Sequence, residues 1–391
     1  MQPLRRGDCG PGVAEIRAKL RKLGIPVGPD LPPGHPDEQV FDAALEHAVR
    51  TFQQQRGLIT DGVVGPATYR ALRDAGWKLG DRMLCYRVSS PMSGDDVLAL
   101  QERLLELGYD TGRPSGIFDE QTERALRAFQ RDFCEVADGV CGPATLRALR
   151  RLGRKVTGGR PHLLREQEVV RQAGPRLRGK RIVVDPGHGG PDRGVVVGEL
   201  AEADLTWDLA RRLVGRMSAT GMEALLSRRE DTCPAEAERA QFANTTGADL
   251  VISLHIDANS SMAAEGLATF YFGNQSGPST IGEALAGLIQ RELVTRTGML
   301  DLGTHGRTWE LLRLTRMPAV RIELGYLTNL GDRRKLLDPG FRDVVAEGVL
   351  VAVKRLYLLG KDDQPTGTFT FSDLLARELE AAEERDEARA I

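Results

Sequence analysis

The stretch Val183-Val184-Asp185-Pro186-Gly187-His188-Gly189-Gly190 decides how this chain is read. Two β-branched residues favour a strand, and Pro-Gly ends it in a turn that presents one imidazole among glycines. Glycine lets other groups approach the backbone closely, so an ion or a substrate can come near the ring. Two later segments are built alike. Asp249-Leu-Val-Ile-Ser-Leu-His255 brings a histidine to the end of an apolar strand, and Ala319-Val-Arg-Ile-Glu323-Leu-Gly brings a carboxylate. In open α/β sheets ligands bind beyond the carboxyl ends of the strands, so groups far apart in sequence can converge there.

Around these segments the apolar pattern alternates between two periods. It predicts strand Arg181–Asp185, helix Ala203–Met217, a short strand near Glu223–Ser227 and helix Ala235–Thr245. Strands Leu250–His255 and Leu267–Phe272, helix Ile281–Thr295, strand Ala319–Glu323 and helix Arg342–Leu358 follow. Such alternation predicts an α/β domain over residues 180–358, with a mainly parallel sheet flanked by helices.

The first part of the chain repeats itself. Phe41-Asp…Phe52-Gln53…Asp61-Gly-Val-Val-Gly65-Pro-Ala-Thr68 recurs 77 residues later as Phe118-Asp…Phe129-Gln130…Asp138-Gly-Val-Cys-Gly142-Pro-Ala-Thr145. Upstream, Val13, Ile16, Leu20 and Leu23 pair with Val97, Leu100, Leu104 and Leu107 at a spacing of 84, so the first copy has seven extra residues, placed around Val27–Pro36. Each copy reads as three helices: an amphipathic one stopping at glycine, a second ending near Phe-Gln, and a third opened by Gly-Pro. Two small three-helix domains, residues 4–75 and 90–152, are therefore expected before the α/β domain, joined to it by a basic, loop-like linker over residues 153–179 with a short helix at Leu163–Arg171.

Composition excludes several classes. Of the 391 residues 41% are hydrophobic and 28% charged, with a net charge of −2, so no global field draws the chain to nucleic acid or to a membrane surface. No apolar run is long enough for a transmembrane segment. Behind Arg5 and Arg6 there is no apolar stretch of the kind a secretory signal needs, which predicts a cytoplasmic protein, with the cell envelope by an unrecognised route as the alternative. The scattered cysteines Cys9, Cys85, Cys134, Cys141 and Cys233 form no CxxC pair and read as reduced thiols. Between Arg147 and Lys180 there are eleven Lys/Arg against two Glu, whereas Lys361–Ile391 holds nine Asp/Glu against four Lys/Arg. Solvated segments explain both runs; mutual attraction, or a shared partner, is the sharper reading.

His188, His255 and Glu323 stand at three strand ends, and Glu199, Glu202 and Asp204 enter the helix after the first of them. Hydrolytic zinc sites use three N and O ligands and keep a fourth position open. Two histidines with one acid meet that count. The order and spacing of Val184-Asp-Pro-Gly-His188-Gly-Gly, Glu202-Ala-Asp-Leu, Ser227-Arg228-Arg-Glu-Asp231, Ser253-Leu-His255-Ile-Asp-Ala-Asn259 and Pro318-Ala-Val-Arg-Ile-Glu323-Leu-Gly-Tyr-Leu-Thr-Asn329 resemble the zinc-dependent N-acetylmuramoyl-L-alanine amidases of the amidase 3 family. The repeats resemble peptidoglycan-binding domain 1, a module similar to a small fold that grips glycan or stem peptide; docking onto the rest of the chain or onto a protein is the plainer alternative.

The amidase resemblance implies one Zn2+ per chain held by His188, Glu202 and His255, with Glu323 as catalytic carboxylate and Glu199 as a rival ligand to Glu202. Zinc lowers the pKa of a bound water from about 15.7 to about 7, and Glu323 would take its proton and return it to the departing amine. Arg321 and Glu323 share one face of their strand, so a plain salt bridge between them competes with that role. Asn259 and Arg313 are candidate substrate-binding residues, Arg313 because guanidinium pairs bidentately with carboxylates. His162 and His305 read as surface or loop residues. Asp257 departs from the family pattern and would crowd or repolarise the metal pocket.

Two functions follow. One is a hydrolase that cuts between N-acetylmuramic acid and L-alanine in peptidoglycan or muropeptides. The other rests on an overall similarity to actinobacterial CwlM-type proteins, which implies a cytoplasmic regulator of precursor synthesis that binds a cell-wall synthesis enzyme. Thr366, Thr368 and Thr370 would then be targets of a Ser/Thr kinase, their phosphates seeking the basic linker; an unmodified tail is the alternative.

Overall fold

The computed structural model describes residues 3–29, 35–133, 136–151, 161–274, 277–358 and 365–378. The chain divides into two compact units, Met1–Leu164 and Arg165–Ile391.

In the first unit each repeat is a three-helix bundle, α1 (Pro11–Lys22), α2 (Ala43–Gln55) and α3 (Pro66–Asp74), then α4 (Asp95–Glu106), α5 (Glu120–Asp132) and α6 (Pro143–Arg151). The repeated Phe-Asp dipeptides explain where the middle helices begin. Asp42 accepts from the Leu45 N–H and Asp119 from the Thr122 N–H, both at 2.8 Å, satisfying one orphan donor at each helix start. Ile16, Leu20, Leu45 and Phe52 fill one core, and Leu100, Leu104, Leu126 and Phe129 fill the other. The glutamine of each Phe-Gln pair is buried and acts as a clamp. Gln53 Nε2 donates to Asp61 Oδ1 at 2.7 Å and to Thr68 Oγ1 at 3.0 Å, while its Oε1 accepts from Gly62 N–H at 2.9 Å. Gln130 repeats this with Asp138, Thr145 and Gly139 at 2.8, 3.2 and 2.9 Å. The extra residues of the first copy include a short 3-10 turn, Pro36–Gln39.

Helix α7 (Pro161–Ala173) begins just before the division, and the second unit continues with β1 (Arg181–Pro186), β2 (Val196–Val197), β3 (Leu200–Ala201), α8 (Glu202–Ala219), β4 (Glu223–Leu226), α9 (Glu236–Thr246) and β5 (Leu250–Asp257). Then come β6 (Leu267–Asn274), β7 (Gly277–Pro278), α10 (Thr280–Thr297), β8 (Asp301–Arg307), α11 (Glu310–Leu314), β9 (Ala319–Tyr326), α12 (Leu330–Leu337) and α13 (Pro339–Leu358). The main sheet runs β4-β1-β5-β9-β6-β7, with β8 also on β6. β4, β1, β5 and β9 are mutually parallel; β6 runs antiparallel to β9 and parallel to β8. Leu209, Leu213, Leu285, Ile289, Val349 and Val353 cover one face in the larger core. The opposite face packs Val183, Val251, Phe272 and Ala319 against Ala243 and Leu312. The expected α/β class holds.

Several expectations are refined. The helix expected in the linker is there and is longer, as α7 runs from Pro161 to Ala173, buries Val170, and leads to a buried Leu177. Residues 152–160 lie outside those described. The tail is not simply solvated: Phe369 and Leu374 are buried in the larger core, and a helix over 371–378 begins after Thr370, whose Oγ1 donates to Asp373 Oδ2 at 2.7 Å. Charge density concealed those two apolar anchors. Linker and tail do meet, since Glu378 accepts from Leu177 N–H at 3.0 Å and pairs with the buried Lys354, which also donates to Pro175 O at 2.7 Å. Lastly, His305 lies not in a loop but on β8, half-buried, with its Nε2 at 2.7 Å from Leu302 O; His162 lies on α7. Cys134 is outside the described residues, and no disulfide joins the four other cysteines. Among the described residues no helix is long and apolar enough to cross a membrane.

Candidate metal centre

His188 follows β1, Glu202 opens α8, and His255 lies near the end of β5. One ligand atom from each lies within 4.8 Å of the others. Glu202 is the hub: its Oε1 is 2.9 Å from His255 Nδ1 and its Oε2 3.2 Å from His188 Nε2. The backbone fixes that carboxylate further, Val195 N–H donating to Oε2 and Ile256 N–H to Oε1, both at 3.0 Å. Glu202 is 2% exposed and His255 8%, whereas His188 is half-buried and open on one side. Glu199 is exposed at the turn between β2 and β3 and does not join the cluster.

Local backbone explains the convergence. His188 is the only non-glycine residue with positive φ (57°) among those described, an αL conformation that aims its ring across the turn. A Cβ on Gly187 would lie 2.3 Å from His255 Cε1, and one on Gly194 2.6 Å from Glu202 Oε2, so side chains there would fill the space between the ligands. Beneath the turn, buried Asp185 pairs with Arg239 Nη1 at 2.9 Å and accepts from Ser253 Oγ at 2.7 Å. Arg239 and Arg228 both donate to the carbonyl of Pro186 (2.7 and 2.9 Å), and Arg239 Nη2 also reaches the carbonyl of His188 at 2.8 Å. Burial alone would raise the Asp185 carboxyl; Arg239 and the two serine hydroxyls hold it below its usual value instead.

Asp192, not singled out from sequence, holds the other side of His188: its Oδ2 is 2.8 Å from Nδ1, and its Oδ1 accepts from Gly194 N–H at 3.0 Å. A carboxylate four residues after a candidate ligand was the available signal. The hydrogen bond to Glu202, helped by Asp192 and opposed by burial, raises the His188 pKa to about 8. Burial works to raise the Glu202 carboxyl, but both histidines drive it well below the ordinary range.

The donor set fits a zinc-like ion. Ligands at about 2.0–2.1 Å around a tetrahedral centre lie roughly 3.3 Å from one another. The closest N···O pairs here, 2.9 and 3.2 Å, are near that figure, and a dyad of imidazoles with one carboxylate is a borderline-soft set.

Glu323 is the register partner of His255 across the β5/β9 ladder, so both side chains stand on one sheet face. It also forms the expected salt bridge: Oε1 accepts from Arg321 Nε at 2.8 Å and Nη2 at 2.7 Å. Asp257 does not crowd the ligands, being exposed and using Oδ1 to accept from Ala258 N–H at 2.7 Å. Partial desolvation, with Glu323 and Glu202 nearby, pushes its carboxyl up. Asn259 follows β5 and spends its Oδ1 on the Ser261 N–H (2.9 Å), while Arg313 is carried by α11.

The ends of β1 and β5 and the start of α8 thus bring two imidazoles and a carboxylate together as a candidate site for a metal ion. Residues 182–355 match the N-acetylmuramoyl-L-alanine amidase family, and residues 9–72 and 93–149 match the peptidoglycan binding domain. Over 384 residues the chain is 54% identical to the N-acetylmuramoyl-L-alanine amidase CwlM of Mycobacterium tuberculosis, covering 96% of this chain and 95% of that protein. It is 31% identical over 182 residues to the amidase LytC of Bacillus subtilis, covering 46% of this chain and 36% of LytC. The crystal structure of an N-acetylmuramoyl-L-alanine amidase from Clostridium difficile 630 aligns at 29% identity with a TM-score of 0.44, over 48% of this chain and all of that one. The chain belongs to the N-acetylmuramoyl-L-alanine amidase family, in the arrangement where two peptidoglycan binding domains precede the amidase domain.

Proposed function

We propose that this protein hydrolyses the amide between N-acetylmuramic acid and L-alanine, in peptidoglycan or its fragments, as a zinc enzyme. The observation that carries this reading is the Glu202 hub, which draws His188 and His255 from two other segments toward one point. These three residues would hold the ion. When bound, zinc supplies Lewis acidity that brings a water's pKa down to about 7. Glu323, standing beside His255 on the next strand, takes the proton of the attacking water and passes it to the L-alanine nitrogen as the C–N bond breaks. Arg321 keeps that carboxylate aimed along the sheet face. Asp192 orients His188 by holding Nδ1, leaving Nε2 for the ion. The two repeats bind the wall polymer or its precursors.

The test is release of free stem peptide from a muropeptide by full-length protein with stoichiometric zinc, beside Glu323→Gln. Loss of release in the variant, with metal retained, supports the assignment; equal background rates in both overturn it.

A second reading, control of precursor synthesis through a synthesis enzyme and a kinase, is favoured by the anchored tail, where Thr370 caps the helix over 371–378. Pull-downs from lysate with intact and 365–391-deleted protein test it. An unchanged set of partners sinks it.

A further inference from the structure

The sheet face that bears Glu323 continues sideways as a row of half-buried side chains no role has been given to. Across the β9/β6 and β6/β8 ladders, Arg321 is level with Phe270 and Phe270 with His305, and Arg307 lies two residues on along the same face. Trp309 closes the row from above, its ring 4.7 Å from Phe270, with the Arg321 guanidinium 4.6 Å over the indole. The result is a shelf of half-buried aromatic and basic side chains running from Glu323 to the Arg307 guanidinium.

Arg307 is chemically conspicuous there. Among the described residues its contacts are the carbonyl of its own neighbour Gly306 (3.0 Å) and the face of Phe270 (5.5 Å to the centroid), with no carboxylate paired to it. A partly desolvated guanidinium without an acid is costly, and its planar fork matches a carboxylate bidentately. Burial also pulls its pKa down, with nothing acidic opposing. Two strand spacings across and four residues along place Arg307 roughly 16 Å from the Glu323 backbone. An extended peptide of four residues spans about 13–14 Å, and the arginine side chain covers the remainder.

We infer that this shelf is the binding site for the peptide stem, with Arg307 pairing a free carboxylate at the far end of that peptide. The inference rests on the amidase reading for the identity of its ligand. The probe is a synthetic tetrapeptide beginning with L-alanine and ending in a free carboxylate, titrated calorimetrically into the full-length, zinc-loaded protein beside its C-terminal carboxamide. Lacking a muramic amide, neither peptide can be turned over. The carboxylate form is expected to bind at least tenfold more tightly. Arg307→Gln abolishes the difference, and Arg307→Lys, which keeps the charge without the fork, retains part of it. Both variants should melt within a few degrees of the parent. Equal affinity for the two peptides, no binding of either, or an unchanged preference in Arg307→Gln overturns the inference. Binding does not require hydrolysis, so an Arg307-dependent preference in a protein without amidase activity would sink the enzyme reading and leave the shelf standing. Hydrolysis without that preference would do the reverse.

Discussion

Gln130 in the second repeat and Glu202 in the amidase domain are both buried polar side chains on helices, and they differ in what they face. Gln130 finds all its partners inside its own module, and Gln53 makes the same set in the other copy. Glu202 faces two imidazoles from distant segments, three electron-pair donors aimed at one point. A polar group that satisfies itself locally holds a fold together. One that gathers lone pairs from afar is arranged for something that is not protein. The Phe-Gln and Asp-Gly signature of the repeats is thus scaffold, and any contact with wall polymer would come from other residues of those bundles.

The sharpest test of this contrast is Glu202→Gln. It nearly preserves shape, yet bound zinc should fall from about one equivalent to a small fraction by elemental analysis after gel filtration, and hydrolysis should reach background. Full metal content in that variant would erase the distinction. Next, Glu323→Gln should lower the hydrolysis rate about 10²–10⁴-fold with zinc content unchanged, since it removes a proton carrier and not a ligand. Gln130→Ala should act on the other side of the comparison. Leaving buried partners unsatisfied costs about 1–3 kcal/mol, read as earlier melting of the first unit, with turnover of a small soluble muropeptide unaffected. A slower turnover would mean that the clamp does more than hold its module.

The smallest expected effect concerns pH. Asp185 has its folded pKa lowered, so it contributes stability above the unfolded value near about 3.9 and loses it as pH falls through the lower folded value. Asp185→Asn should therefore flatten the acid limb of the stability profile below about pH 4. An unchanged limb would show that the ion pair beneath the histidine turn is not what fails in acid.

Sequence made the parallel core and the two candidate histidine ligands legible because short apolar runs end in residues whose chemistry is uncommon there, while Glu202 was marked by the family resemblance. The Arg321–Glu323 pair followed from the same alternation. What escaped needed tertiary partners. Strand β8, Asp301-Leu-Gly-Thr-His-Gly-Arg307, carries two glycines and almost no β-branched residues, and exists by pairing with β6. α7 and the tail looked solvated because charges outnumber the few residues, Val170, Phe369 and Leu374, that tie them down. Asp185 and Arg228 lie within the motifs quoted from sequence, but their bracing of the turn did not show there, and Arg239 carries no signature at all.

The left-handed backbone at His188 has a practical corollary for anyone silencing the centre. Alanine there would delete the ring and also sit uneasily at a φ of 57°, so lost function and a relaxed turn would be confounded. Asparagine visits that region readily. His188→Asn is accordingly the cleaner knockout, separating what the imidazole does from what the bend does.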